Sequence, residues 1–441
     1  MFRQLMILVL LGAAWAAAAT ADDTPPPGPA LADYLAWSAE HHPALAGERD
    51  RALALRDDAA KAGALPELRL AWGEMIVPVE TRVGPQQRVL SVSQAFPWFG
   101  SLGLKGDAAA AAADAADEGV RAKRLMVARD VRAAWYRLGA LDAELDLARA
   151  NAALADESAA WLRQAYAAGT ATYAALLQGE MEASRLQVAV DDLADRRAPA
   201  VAALNAAAGL PAGTAAPAAA LPDSLLLARV LPDDEAMAAA VGERNPELAA
   251  LAAKQTSSRL GAEAAGKATG PNLSLGLDYI MTGEARMPGV DDSGKDPVIA
   301  RVSVGIPLWG GASADSRAAA GRMRAAGEDL HDRRLQLAAR LQQGLYAWRD
   351  AGRRLELQQT VLLPRARRLV EVATAAYAAD QAAYGDLLAA RRALLGLCTE
   401  QVRARLDRAL ALNDLALLVG VPVEDLSAAL PTFAPSPEDR P

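Results

Sequence analysis

Few side chains in this sequence could do covalent or metal chemistry. His41, His42 and His331 are the only histidines and Cys398 is the only cysteine. No histidine belongs to a His-Glu-x-x-His helix, which would put two zinc ligands and a general base on one face, and no serine sits in a Gly-x-Ser-x-Gly elbow. Gly261-Ala262-Glu263-Ala264-Ala265-Gly266-Lys267 imitates a phosphate-binding loop. Ala268 stands where Ser or Thr must hold magnesium, and a strand pattern follows the segment where one should precede it. His41-His42 and the methionines Met75, Met281 and Met287 could suggest a soft-metal cargo, but they are too scattered to converge on one ion. Cys398 lies in a helical stretch and reads as an ordinary small buried residue. The sequence predicts no enzyme, no cofactor and no resident metal.

What the chain has in abundance is repetition. Ala165-Tyr166-Ala167-Ala168 leading to Tyr173-Ala174-Ala175-Leu176-Leu177 recurs as Ala376-Tyr377-Ala378-Ala379 leading to Tyr384-Gly385-Asp386-Leu387-Leu388. Gly209-Leu210-Pro211 recurs as Gly420-Val421-Pro422, Pro43-Ala44-Leu45 as Pro246-Glu247-Leu248, and Phe96-Pro97-Trp98-Phe99-Gly100 as Ile306-Pro307-Leu308-Trp309-Gly310. A unit of this length is too long for a solenoid repeat, so each copy is half of one architecture. The first copy is expected over 22–210 and the second over 236–422, with an inter-repeat linker at 211–235 and a flexible tail at 423–441.

Composition and address narrow the class. Net charge is -8, with no concentrated basic face, which argues against nucleic acid as a partner. Residues 1–21 read as a signal peptide, with Arg3, an apolar run from Leu5 to Trp15, and Ala19-Thr20-Ala21 as the cleavage site. No cysteine follows that run, so no lipid anchor is expected. Beyond it no stretch reaches the roughly 18 apolar residues that a spanning helix needs. A membrane crossing would have to be made by strands.

Four runs carry the period-two alternation of strands, at about 67–78, 86–96, 272–281 and 298–307. Leu68, Leu70 and Trp72 alternate with Arg69, Ala71 and Gly73, and Leu273, Leu275, Leu277 and Tyr279 with Ser274, Gly276 and Asp278. A half-buried sheet in a soluble protein would show the same pattern. The signal peptide and the aromatic residues Trp72, Tyr279, Trp98 and Trp309 near the strand ends favour membrane strands, apolar side to lipid and small, polar side to a lumen. Four strands cannot close a barrel, so several chains must combine, two giving eight strands or three giving twelve.

The rest reads as helix, at about 100–167, 174–208, 313–379 and 385–419. Pro199 and Pro364 are expected to kink or break two of these runs. Taken alone, such helices would also suit a periplasmic coiled-coil scaffold or adaptor without a pore. Each copy reads as strand, loop, strand, long helix, turn, helix.

Ser91-Val92-Ser93-Gln94-Ala95-Phe96-Pro97-Trp98-Phe99-Gly100, its partner Val304-Gly305-Ile306-Pro307-Leu308-Trp309-Gly310, and the two repeated turns resemble the TolC-type outer-membrane efflux proteins over about residues 30–422. The resemblance implies a mainly α fold with a membrane β-barrel. In it, a homotrimer makes a 12-stranded barrel in the outer membrane, continued by a 12-helix tunnel through the periplasm. It implies a passive exit duct of a tripartite efflux or type I secretion system. A periplasmic membrane-fusion adaptor and, through it, an inner-membrane pump are the partners, besides outer-membrane lipid. Pro97 and Pro307 mark the strand-to-helix transitions, each suited to a first helical turn. The turns Tyr166–Leu177 and Tyr377–Leu388 match the periplasmic tip. There Asp386, Tyr384 and Asp380 are the gate candidates, and Gly169, Thr170, Leu176, Gln381 and Leu387 the adaptor-docking candidates. A threefold ring of Asp386 would favour cations, whereas the same acid at a helix start could simply cap it. The first copy has Ala175 in its place, Ala389 follows Leu388 where some members carry another acid, and Asp380 replaces the turn glycine Gly169.

Overall fold

The computed structural model describes residues 27–222 and 231–426. The expected signal peptide, residues 223–230 of the expected linker and residues 427–441 of the expected tail lie outside the described residues. Each repeat opens with two short helices that the sequence reading had not separated. These are α1 (Leu31–His41) and α2 (Pro43–Ala62), then α5 (Asp234–Arg244) and α6 (Pro246–Lys267). Their start signals lie in the repeated Pro-x-Leu motif. Pro43 and Pro246 occupy the first turn, where a missing N–H costs nothing. The residue before each proline supplies the cap: His42 Nδ1 accepts from the Ala44 amide at 3.1 Å, and Asn245 Oδ1 from Glu247 and Leu248 at 2.9 and 3.1 Å. Burial, reinforced by Lys123, pushes the His42 pKa down, which keeps that nitrogen free to accept. The phosphate-loop mimic Gly261–Lys267 lies inside α6 and so makes no loop.

Four antiparallel strands follow the order β1 (Arg69–Thr81), β2 (Gly84–Phe96), β3 (Asn272–Thr282) and β4 (Val298–Gly305). Each repeat contributes one hairpin, and β2 joins β3 across the repeats. Both outer edges, β1 and β4, are unpaired among the described residues. The expectation that Pro97 and Pro307 sit in a first helical turn is corrected. The helices α3 (Ser101–Ala167) and α7 (Gly311–Leu357) begin four residues later, each preceded by a left-handed glycine, Gly100 at φ 76° and Gly310 at φ 77°. Proline ends the strand because it cannot donate to the ladder, and glycine makes the turn into the helix.

α3 runs unbroken for 67 residues, about 100 Å at 1.5 Å per residue. It returns through α4 (Tyr173–Ala208). The second arm is α7, a five-residue π segment Gln358–Leu362, α8 (Leu363–Ala378) and the returning α9 (Tyr384–Val419). The two prolines behave differently. Pro199 lies inside α4 without ending it, on an exposed stretch where water can satisfy the freed Asp195 carbonyl. Pro364 is absorbed by the π segment, where the Leu363 amide bonds back five residues to Gln358 and the extra residue makes room for the ring.

The core is two matching clusters where the long helices pass the short ones. Tyr34, Leu45, Val131, Trp135, Leu138 and Leu204 form one, and Met237, Leu341, Leu345, Leu412, Leu415 and Leu426 the other. The described residues of the linker pack against the helices, and the first four residues of the expected flexible tail, 423–426, are packed as well. Asn205 donates to Ala212 and Thr214 carbonyls at 3.2 and 2.7 Å, and Asp142 accepts from the Ala219 amide at 3.1 Å. Gly139 permits this strap, since a Cβ there would meet Ala220 backbone at 2.7 Å. At the other end Val423 and Leu426 are buried, and Glu424 receives the buried Arg132 at 2.8 and 2.6 Å.

Candidate functional site

The sheet turns the pattern of a soluble sheet inside out. Strand register lines up Trp72, Leu90, Tyr279 and Val298 in one row and Leu70, Val92, Leu277 and Ala300 in the next. Leu275 and Val302 extend the apolar face toward the helices, interrupted by Gln94, which bonds to the Pro66 carbonyl at 2.7 Å. On the opposite face the rows read Ala71, Ser91, Asp278, Ile299 and Arg69, Ser93, Gly276, Arg301. Exposure alternates in the unusual sense: along β3, Leu277 is 51% exposed and Tyr279 37%, while Asp278 between them is 6% exposed and paired with Arg301 at 2.5 Å. A sheet in water buries its apolar face. Here that face is open, and on the inner strand β3 the small, polar side is the sheltered one, the arrangement of a strand with lipid outside and a lumen inside. Trp72 and Tyr279 share one row of the apolar face, whereas Trp98 and Trp309 lie beyond the strands, Trp309 at 94% exposure.

At the far end of the helices the two turns lie side by side. Gly169 takes φ 74°, and its counterpart Asp380 takes φ 57°, the one non-glycine residue with positive φ among the described residues. In the first turn Thr170 N and Oγ1 both donate to the Ala165 carbonyl at 2.9 and 3.0 Å, and Thr172 Oγ1 caps the Ala175 amide at 3.1 Å. In the second, Ala383 replaces the capping threonine, and Asp386 reaches back to accept from the Ala383 amide at 3.1 Å. The repeats have thus divided the two halves of a capping box between them, which accounts for Ala175 in one and Asp386 in the other. Asp380, Asp386, Gly169, Thr170 and Gln381 are exposed.

Three of the expected tip residues face inward within the chain. Leu176 and Leu387, expected on a docking surface, and Tyr384, expected at a gate, are buried together with Leu162, Ala175 and Leu388, between the two arms. Burial raises the Tyr384 pKa. Tyr384 packs edge-on to Tyr377 at 5.6 Å, and Tyr377 in turn to Trp161 at 6.0 Å. Beside them opens a cleft of about 900 Å³, whose lining includes Glu157, Asp380 and Arg391.

Sequence reasoning missed the ties that hold the arms together. Glu182 is 5% exposed, and both its oxygens accept from Arg392 Nε at 3.1 Å, with a further contact from the same guanidinium. Arg391 donates to Ser158 at 2.8 Å and Arg403 to Glu144 at 2.9 Å. A signal for the first existed: Ala175, Gly179 and Glu182 fall at i, i+4 and i+7, so a carboxylate stands on a buried stripe and demands a partner. Among the described residues no group of three or more His, Cys, Asp or Glu could hold a metal ion, and no helix is long and apolar enough to cross a membrane.

Known structures share this arrangement. A membrane protein from Pseudomonas aeruginosa superposes with a TM-score of 0.75 at 19% identity, covering 89% of this chain and 90% of that one. The outer membrane protein VceC from Vibrio cholerae gives 0.73 at 18%, covering 89% and 96%. The open-state MtrE outer membrane channel of Neisseria gonorrhoeae gives 0.71 at 17%, covering 89% of each. No curated protein matches the sequence. The family model described as outer membrane efflux protein matches residues 44–210 and 239–421, one stretch in each repeat and most of the chain together. With all four strands and both long helical arms falling within those matches, the chain belongs to the outer membrane efflux protein family.

Proposed function

We propose that this protein is an outer-membrane exit duct: three copies close a 12-stranded barrel, and their helices continue it as a tunnel through the periplasm. The observation that carries the reading is the inverted sheet with both edges free. An apolar face of this extent needs lipid, and unpaired edges in hydrocarbon cost several kcal/mol per backbone group, so the sheet must close on other copies. A coiled-coil scaffold without a pore has no use for such a sheet.

Solutes cross by diffusion, and no residue does covalent work. The helical tip is the gate, held shut by the ties from Arg391, Arg392 and Arg403 to the first arm. A periplasmic adaptor tied to an inner-membrane pump docks on the exposed turn residues Gly169, Thr170 and Gln381 and loosens those ties. The native mass of detergent-extracted protein tests the assembly. A trimer supports the duct, and a water-soluble monomer overturns it.

A further inference from the structure

The lumen side of the sheet carries little charge, and what it carries is unbalanced. Its rows are built from Gly, Ala, Ser and a few aliphatic residues, with three charged side chains, Arg69, Asp278 and Arg301. Register places Arg69 and Arg301 at the two ends of one row, Arg69–Ser93–Gly276–Arg301, on the edge strands β1 and β4. Asp278 is committed to Arg301. The Arg69 side chain makes no hydrogen bond or ion pair among the described residues, and the residue is exposed. The small side chains between the two arginines leave nothing bulky to cover either guanidinium. Charges at the far ends of the strands compensate one another, with Arg286 on Glu80 and Arg82 on Asp292. Arg88 lies on the opposite, lipid-side face against Glu74.

We propose that Arg69 and Arg301 form a basic band on the lumen wall, near the base of the barrel, that favours anionic solutes over cationic ones. This inference rests on the duct reading, because closure brings the β4 edge of one copy to the β1 edge of the next and gathers both arginines of every subunit around one lumen. Two guanidinium groups face one carboxylate in each chain, so the wall is net positive. Fixed charge lining a narrow aqueous path raises the local concentration of the opposite ion. Solutes bearing carboxylate or phosphate groups are the class such a band admits most readily.

Reversal potentials in planar bilayers under a potassium chloride gradient test it, with the trimeric wild type compared with Arg69→Gln, Arg69→Glu and Arg88→Gln. The tip is identical in all four, so differences report the barrel. Arg69→Gln is expected to shift the potential toward cation preference, and Arg69→Glu further, while Arg88→Gln leaves it at the wild-type value. Unchanged potentials in both Arg69 variants, or an equal shift in Arg88→Gln, overturn the band while leaving the duct intact. A wild-type protein that stays a water-soluble monomer overturns the duct itself, and the band with it.

Discussion

Asp386 shows how one carboxylate can be legible in a sequence while its role stays open. Its place at a helix start admits either a cap or a pore-facing charge, and in the fold it makes the cap, accepting from Ala383 at 3.1 Å. The two uses separate by substitution. Asp386→Ala removes the acceptor and is expected to cost about 0.5–1 kcal/mol, read by thermal or denaturant unfolding. Asp386→Asn keeps an acceptor, so stability should hold, and only a threefold ring would make cation preference fall in bilayer recordings; an unchanged reversal potential rules out the ring. Glu182 makes the opposite case, a residue whose importance lay in an unread position on a buried stripe. Arg392→Ala strands that carboxylate at 5% exposure. Buried pairs broken this way lose about 3–5 kcal/mol, and since the Arg392 side chain is 47% exposed the loss here should be nearer 1–3. Faster hydrogen exchange at both turns would accompany it, and unaltered protection would refute the tie.

At the scale of elements, alternation revealed the strands because every second residue has the same surroundings for the length of the run. It could not tell which face was wet, since Leu277 and Asp278 alternate identically in either solvent. Exposure decides that, and gives an asymmetric prediction. Leu277→Arg places a cation on the lipid side, where an arginine at the bilayer midplane costs about 2–4 kcal/mol, whereas Ser274→Arg faces the lumen and should be tolerated. Outer-membrane fractionation should therefore lose the first variant and keep the second; the reverse recovery would mean the faces are assigned backwards, and equal recovery would refute the distinction between them. The short helices were harder to read. Their amphipathic stripes are brief and rich in alanine, and the information sits in the caps, His42 before Pro43 and Asn245 before Pro246. Pro199 and Pro364 were equally visible as breakers and had unequal effects, because solvent around an exposed carbonyl decides one and an inserted residue the other.

For the whole molecule, duplication was the most readable property, because repeated motifs at a nearly constant offset survive local divergence. Less readable was how the ends are anchored. The segment after Pro422 looks polar and loose, yet Val423 and Leu426 enter the second core and Glu424 pairs with Arg132. Truncation after Pro422 should therefore destabilise the chain by about 1–3 kcal/mol from the unpaired Arg132, discounted because Glu424 is 62% exposed, besides any lost apolar burial, measured by unfolding. Wild-type stability in that truncation would show the anchor to be idle. The free edges of β1 and β4 also govern the life of a newly made subunit. On the duct reading its helical arms fold in water, but its sheet has no finished state until neighbours arrive. A lone copy adrift between two membranes thus carries a sticky, unpaired template that any strand could join. On that reading, insertion into lipid and recruitment of sister chains become one event.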